Sequence, residues 1–318
     1  MTATAPNFLV IGAGRSGTTG LVEGLRTHPG VFVTEPKEPH YFGLHGTKAA
    51  FCGPGDDATI NRVSVTDRAG YLGLYPSVHN YAALGDGSVS TLYYHEHAIP
   101  EIAAMNPAMR IVVLLRDPVA RAHSSFHYMR ARGFEPEDSF LAAVDDEQRR
   151  RAENWHHLWH YTHMSRYATA LAAFLECFGR DKVGVWYYDD LSADYVGTVR
   201  QVLRFVGAPV VQGEAEGVPR VNISGTPRSA WTQKMIWGTT RNETLRRAVK
   251  RFTSYRLRER VRRATLSTTS LDEATRAELE PRFAADLAQL ACLLDQDGQP
   301  PWLSSHRPTA GAAELGDA

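Results

Sequence analysis

Cysteine is scarce and scattered: Cys52, Cys177 and Cys292 are odd in number, far apart and form no CxxC pair. Neither a disulfide framework nor a zinc site is indicated. Net charge is missing too. The 318 residues carry 35 Lys and Arg against 35 Asp and Glu, which argues against a nucleic-acid protein with a globally basic surface and against an acidic disordered chain. No apolar run approaches the roughly 20 residues of a membrane span. The N-terminus shows neither the basic flank nor the cleavage site of a signal peptide, so the expectation is a cytoplasmic protein with no transmembrane segment. No internal repeat is present.

What is there is an ordinary globular composition, 43% hydrophobic and 22% charged, with enough apolar residues for one large core. Phe8-Leu-Val-Ile11 reads as a buried strand, Leu21 to Leu25 as a helix closed near His28-Pro-Gly30, and Val31 to Thr34 as a second strand. That order is a βαβ unit and implies a parallel sheet. Residues 43–84 decay into Gly, Asp, Asn and scattered aromatics, a loop-rich insertion of the kind that carries function. Arg110 to Leu115 is the clearest buried strand, and Pro118 opens a helix that runs to about Arg132. Further helices are expected over 139–152 and 166–177, and Lys182 to Tyr188 alternates as a strand. Ser192 is expected to cap a helix through Val206, and Ser270-Leu-Asp-Glu273 reads as a capping box. The expected organisation is one domain over 1–305, with a helical C-terminal part at 241–295 and a disordered tail at 306–318.

The loop Gly12-Ala-Gly-Arg-Ser-Gly-Thr-Thr19 joins the first strand to the first helix. Backbone N–H groups converge there in front of the helix dipole, which is a cradle for a phosphate. The nucleotide-kinase form of the motif, GxxxxGK[ST], fits at Gly12 and Gly17, but Thr18 stands where the Lys belongs. The nearby cation is Arg15. Taken alone, the loop is equally a Gly-rich turn that binds nothing.

Taken with other segments, the chain resembles the sulfotransferases that use 3′-phosphoadenosine 5′-phosphosulfate (PAPS), most closely the carbohydrate-type and bacterial ones. Arg15-Ser-Gly-Thr-Thr19 matches their 5′-phosphosulfate loop. Lys37-Glu-Pro-His-Tyr-Phe42 matches a second segment, and Arg116-Asp-Pro118 with Ser124 reproduces the 3′-phosphate segment. Arg220 to Arg228 resembles the loop that closes over the nucleotide. The resemblance covers about Phe8 to Leu294. It implies a P-loop NTPase-like α/β fold, a central parallel sheet flanked by helices. It also implies PAPS as co-substrate, PAP as product, and no metal. One departure is Gly87, where many carbohydrate-type members carry a Lys.

The resemblance further implies that Gly14, Arg15, Ser16, Gly17, Thr18, Thr19, Arg116, Ser124 and Arg228 hold the nucleotide. Arg15 would neutralise charge on the leaving phosphate, and Glu38 would serve as base. His40 is a supporting or alternative base, placed on the same side as Glu38 if the segment is extended. As a bare sequence feature, Glu38 reads first as a loop carboxylate paired with Lys37 or another surface cation, and the plain reading of Arg116-Asp117 is a helix-capping pair. His156, His160 and His163 fall at helical spacing; a metal site and an acceptor-pocket lining are both open, as is a half-buried aromatic face. Arg241 to Arg263 holds ten Lys and Arg against two Glu. That run reads as a solvated helix face, or as a contact to an anionic membrane or acidic acceptor. The expected reaction is sulfuryl transfer to a hydroxyl, or an amine, of a carbohydrate, phenol or natural product. The competing readings are a P-loop nucleotide kinase or NTPase and a non-catalytic nucleotide-binding module.

Overall fold

The computed structural model describes residues 5–77, 80–209, 226–227, 266–267, 270–295 and 298–307. In chain order its elements begin with β1 (Phe8–Gly12), α1 (Thr18–Arg26), β2 (Val31–Val33), α2 (Tyr41–Leu44), α3 (Ile60–Val63), α4 (Arg68–Leu72) and β3 (Ala83–Asp86). They continue with α5 (Ser90–Tyr93), α6 (His95–Met105), β4 (Arg110–Leu115), α7 (Pro118–Ala131), α8 (Phe140–Asp145), α9 (Glu147–Ala152), α10 (Ala168–Phe178), β5 (Val183–Tyr187), α11 (Tyr188–Ala193) and α12 (Tyr195–Phe205). Helices Glu273–Leu279 and Ala284–Leu294 follow.

Strands β1 to β5 form one sheet in the order β2-β3-β1-β4-β5 with every pairing parallel, and a separate antiparallel pair, Thr226–Pro227 with Leu266–Ser267, puts strand inside the 241–295 part expected to be helical. The alternation of strand side chains divides the core in two. Leu9 and Ile11 of β1, with Ile111, Val113 and Leu115 of β4, pack into one cluster with α6, α7, α10 and the C-terminal helices. Phe8 and Val10, with Val112 and Leu114, pack on the other side against α1 and α12. Burial on both faces is why these strands read as continuous apolar runs. The sequence order departs from β1 in both directions, to β2 and β3 on one side and to β4 and β5 on the other. The crevice at the carboxyl end of β1 is therefore the topological switch point where open α/β sheets bind ligands.

Several expectations change. β3 lies between β2 and β1 although Ala-Leu-Gly-Asp is a poor strand sequence, and its first residues fall inside the stretch expected to be loop. It is buried along its whole length, and a Cβ at Gly85 would lie 2.3 Å from the Phe8 carbonyl oxygen. Close approach of the backbones selects the glycine that weakens the pattern. The helix expected over 139–152 is two, α8 and α9, broken at Asp146. Ser192 lies inside α11, and the residue that caps α12 is Asp194, whose carboxylate accepts from Gly197 N. Asp272, not Ser270, caps the helix at Glu273 by accepting from Thr275 N. The helix expected from Arg166 starts at Ala168, where Asp286 accepts the Tyr167 and Ala168 amides. Arg228 and the basic stretch 241–263 lie outside the described residues. So does the tail beyond 307. Among the described residues no helix is long and apolar enough to cross a membrane.

The irregular layer over the sheet's carboxyl edge is fastened by buried carboxylates. Asp56 accepts from Gly53 N, His156 N and the Trp159 indole. Glu147 accepts from Thr162 N, Thr162 Oγ1 and His163 N. Arg150 and Glu135 form a fully buried bidentate pair with both contacts at 2.8 Å, and Arg150 Nε also donates to Asp146. Truncating one member strands the other charge in the core. Arg150→Ala should therefore cost about 3–5 kcal/mol of stability, read as a shift of the denaturant midpoint. A loss below about 1 kcal/mol would put the pair outside the load path of this layer.

Candidate active site

The first strand ends at Gly12, and the chain turns through Ala13 to Gly17 before α1 begins. Gly17 is the N-cap residue of α1 at φ 92, a left-handed conformation that favours glycine, and it makes no side-chain cap. No acidic residue occupies the first turn of α1, so neither a capping side chain nor a carboxylate competes for its positive end. Ser16 is fully buried, and its hydroxyl finds no partner among the described residues. Thr18 is buried and Thr19 exposed. A backbone cradle with an unused buried hydroxyl fits an oxyanion such as phosphate.

Two arginines flank the cradle, and each is held by a tyrosine face. The Arg15 guanidinium stands 4.4 Å from the Tyr128 ring centroid, and the Arg116 guanidinium 4.4 Å from that of Tyr188. Arg116 Nη1 donates to the Arg15 carbonyl at 3.0 Å, which ties the end of β4 to the tip of the loop. Asp117 caps α7 through Ala120 N and pairs with Arg276 at 2.9 Å. Of the Arg116-Asp117 step, Asp117 does cap the helix, while Arg116 turns to the loop. Ser124 is buried on α7, two turns past Arg116.

Sequence reasoning passed over Arg121, which is fully buried on the same helix. It donates to the carbonyls of Gly14 and Tyr161 and to Ser165 Oγ. A charged residue flanked by Ala120 and Ala122 on a helix that also carries Ser124 and Ser125 is the signal that could have marked it.

Lys37 and Glu38 follow β2 and are zipped onto the turn after β3. Lys37 Nζ donates to Glu38 Oε1 at 2.6 Å and to the Gly87 carbonyl at 2.9 Å, and Gly87 N donates back to the Lys37 carbonyl. A Cβ at Gly87 would come within 3.0 Å of Lys37 Cε. Gly87 therefore leaves room for the Lys37 side chain. The Glu38–Lys37 pair read from sequence as a bland alternative is real, and it lies inside the site. Glu38 is bonded by the Val89 amide, and the Val89 side chain lies 3.3 Å from a Cβ placed at Gly14 of the loop, so cradle and carboxylate are neighbours across Val89.

His40 is not part of an extended run. Its φ is 59, its N–H donates to Ser88 Oγ at 3.0 Å, and its Nδ1 lies 2.9 Å from Ser90 Oγ. Ser88 N in turn donates to Asp86, whose other oxygen accepts from Tyr71 Oη. Burial pushes the His40 imidazole down to about 4 despite the nearby Glu38 carboxylate. His156, His160 and His163 are not on one helix. They lie in a turn-rich segment with short 3₁₀ turns at His157–Trp159 and His163–Ser165. His160 Nδ1 lies 2.6 Å from Tyr93 Oη. Among the described residues no group of three or more His, Cys, Asp and Glu side chains converges as a metal site would require.

Burial pushes the Glu38 carboxyl up, but the Lys37 ammonium, His40 and the Val89 amide outweigh it and hold the group below the ordinary carboxylate range. A cation that stabilises the carboxylate lowers its pKa, so Lys37→Met should move Glu38 to higher pH. Carbon-detected NMR titration of the glutamates reads this directly. A Glu38 that titrates where it does in the parent would remove Lys37 as the cause.

Residues 6–212 match the sequence profile of the sulfotransferase family. Carbohydrate sulfotransferase 15 of Mus musculus is 29% identical over an alignment of 162 residues that covers 39% of this chain and 27% of that protein. A membrane-associated sulfotransferase of Dictyostelium discoideum is 28% identical over 125 residues, 23% of its length. The match thus spans about a quarter of these curated relatives. The crystal structure of a sulfotransferase from Alicyclobacillus acidocaldarius superposes with a TM-score of 0.71 at 25% identity, covering 96% of this chain and all of that one. The matched segment takes in the phosphate cradle, the Lys37–His40 turn and the Arg116 to Ser124 helix start, and on that extent the chain belongs to the sulfotransferase family.

Proposed function

We propose that this chain transfers a sulfuryl group from PAPS to a hydroxyl, or secondarily an amine, of a carbohydrate or small-molecule acceptor. The observation that carries the reading is the pairing of an anion cradle that has no Lys at Thr18 with a carboxylate, Glu38, within the same site. PAPS supplies an SO₃ group on a phosphate oxygen. The acceptor oxygen forms its bond to sulfur as the bond from sulfur to that phosphate oxygen breaks, and the acceptor proton goes to Glu38.

The chain's residues divide these tasks. The amides from Arg15 to Thr19, the Ser16 hydroxyl and the Arg15 guanidinium hold the 5′ anion and stabilise the charge that gathers on it. Arg116 and Ser124 hold the 3′-phosphate, the arginine through its planar fork of donors; Arg228 is assigned to the same phosphate from sequence alone. Glu38 suits the base better than His40. The Glu38 side chain is 30% exposed and open to an acceptor, whereas His40 is buried, its amide and Nδ1 are engaged by Ser88 and Ser90, and burial opposes charging its imidazole. The residues around Trp155 to His163 and in 43–84 cover the same edge of the sheet and are assigned to the acceptor. Sugars, phenols and natural-product rings all fit that composition.

Calorimetry should show PAP binding without metal and in preference to AMP and ATP, and Arg116→Ala should weaken PAP by about tenfold or more. A Mg²⁺-dependent preference for ATP would replace the proposal with a P-loop kinase. In a panel of sugar and phenol acceptors scored for PAP release, Glu38→Gln should lower kcat by roughly 10² to 10⁴ and leave PAP affinity within about twofold. Unchanged turnover would remove Glu38 from the chemistry, and PAP binding with no transfer to any acceptor would favour a nucleotide-binding module.

A further inference from the structure

The side chain that holds Arg15 lies outside every motif read from the sequence. Tyr128 sits on α7 and presents its ring to the Arg15 guanidinium at 4.4 Å. Its phenol oxygen accepts a hydrogen bond from Arg132, whose guanidinium stands 5.2 Å from the same ring and 5.4 Å from that of Phe134. Phe134 packs against the loop at Gly55, where a Cβ would meet its ring at 2.4 Å. A continuous stack therefore runs from the tip of the phosphate loop, through α7, into the 43–84 insertion.

A carboxylate in place of Tyr128 would also hold Arg15, but by cancelling its charge and occupying its N–H donors. A ring face attracts the cation through its quadrupole and leaves the charge in place. The electrostatics of the phenol reflect both arginines. Burial raises its pKa, yet the two guanidinium groups, Arg132 first and Arg15 next, bring it below the ordinary tyrosine value. Arg15 itself adopts a left-handed backbone at φ 70, so its long side chain leaves the loop from a constrained origin.

Building on the sulfuryl-transfer reading, we propose that Tyr128 is a positioning residue whose ring face holds Arg15 at the site of transfer. Because the face does the holding, phenylalanine keeps the function and an aliphatic residue does not.

The test uses the full chain with PAPS and whichever panel acceptor releases PAP fastest. Tyr128→Leu should lower kcat by about tenfold, the scale of one desolvated cation–ring contact, with PAP affinity within about threefold. Tyr128→Phe should restore most of that loss. In an Arg15→Gln background Tyr128→Leu should have little further effect, since a residue that acts only through Arg15 is silent once Arg15 is gone. Independently of activity, the Tyr128 phenol, followed by NMR, should titrate at higher pH in Arg15→Gln. Additive effects, a Phe variant as impaired as the Leu variant, or an unmoved phenol would each overturn the role of Tyr128. A parent protein that binds PAP but transfers nothing from PAPS would overturn the functional reading instead, and an unchanged phenol titration would still decide the contact.

Discussion

A buried guanidinium is among the costliest groups a protein can place in its interior, and Arg121 is fully buried. It is satisfied by the carbonyls of Gly14 and Tyr161 and by the Ser165 hydroxyl. Those partners come from separate parts of the chain, the phosphate loop and the turn-rich segment above it, and Arg121 itself is on the helix that follows β4. Each charge-assisted bond contributes roughly 1.5–3 kcal/mol, and losing one leaves a dry positive charge. Burial accordingly lowers the Arg121 pKa. The loop, α7 and the acceptor-side segment must therefore stay in register for the core to be stable. The site is pre-formed because the same bonds that satisfy Arg121 also set its walls.

The remaining charges obey a division of labour. Where the irregular layer must be fixed, carboxylates are spent on backbone amides: Asp56, Glu147 and Asp286 each accept from main-chain N–H groups that no helix or sheet could pair. Where an anion is to be bound, the arginines are held by rings and carbonyls. Arg15 stacks on Tyr128, and Arg116 stacks on Tyr188 and donates to the Arg15 carbonyl. A site that must recognise several negative charges within a chain of zero net charge works by this segregation. Cations keep their charge at the cradle and these three carboxylates are consumed elsewhere, while Glu38, beside Lys37, stays at the site.

Much of this was legible from residue order. The two-sided burial of β1 and β4 made them continuous apolar runs, and the glycines of the loop, the Lys37–Phe42 segment and Arg116-Asp-Pro118 marked the site in the right order along the sheet. What stayed hidden was set by tertiary contact. β3 is a strand because its neighbours bury it, although Gly85 and Asp86 argue against strand locally. His156, His160 and His163 suggested one helical face, yet Asp56, Glu147 and Tyr93 hold that segment in turns. Arg121 and Tyr128 sit at unremarkable helical positions, and only the packing of α7 under the loop gives them partners.

The same packing bears on where specificity resides. The cradle, α1 and the strand ends are regular elements with a backbone geometry that tolerates little change, as the 2.8 Å approach of Leu191 to a Cβ at Gly17 illustrates. The acceptor-side layer is built differently, from side-chain carboxylates capping loose amides and from aromatic rings in tilted contact. Such a layer alters shape when one anchor changes, because each anchor fixes a few residues and not a whole element. On the proposed function, the nucleotide would meet the rigid half and the acceptor the half that can be re-cut. Lys37 and Glu38 stand at the seam: the backbone of β3's following turn holds them, and the insertion buries their neighbours Tyr41 and Phe42 against Tyr71. A change in the insertion that shifts Tyr71 would reach Asp86 and Ser88 through their hydrogen bonds, and through Ser88 the backbone of His40. On the proposed function, acceptor selection and base placement would thus be mechanically linked, although no residue of the insertion need touch Glu38.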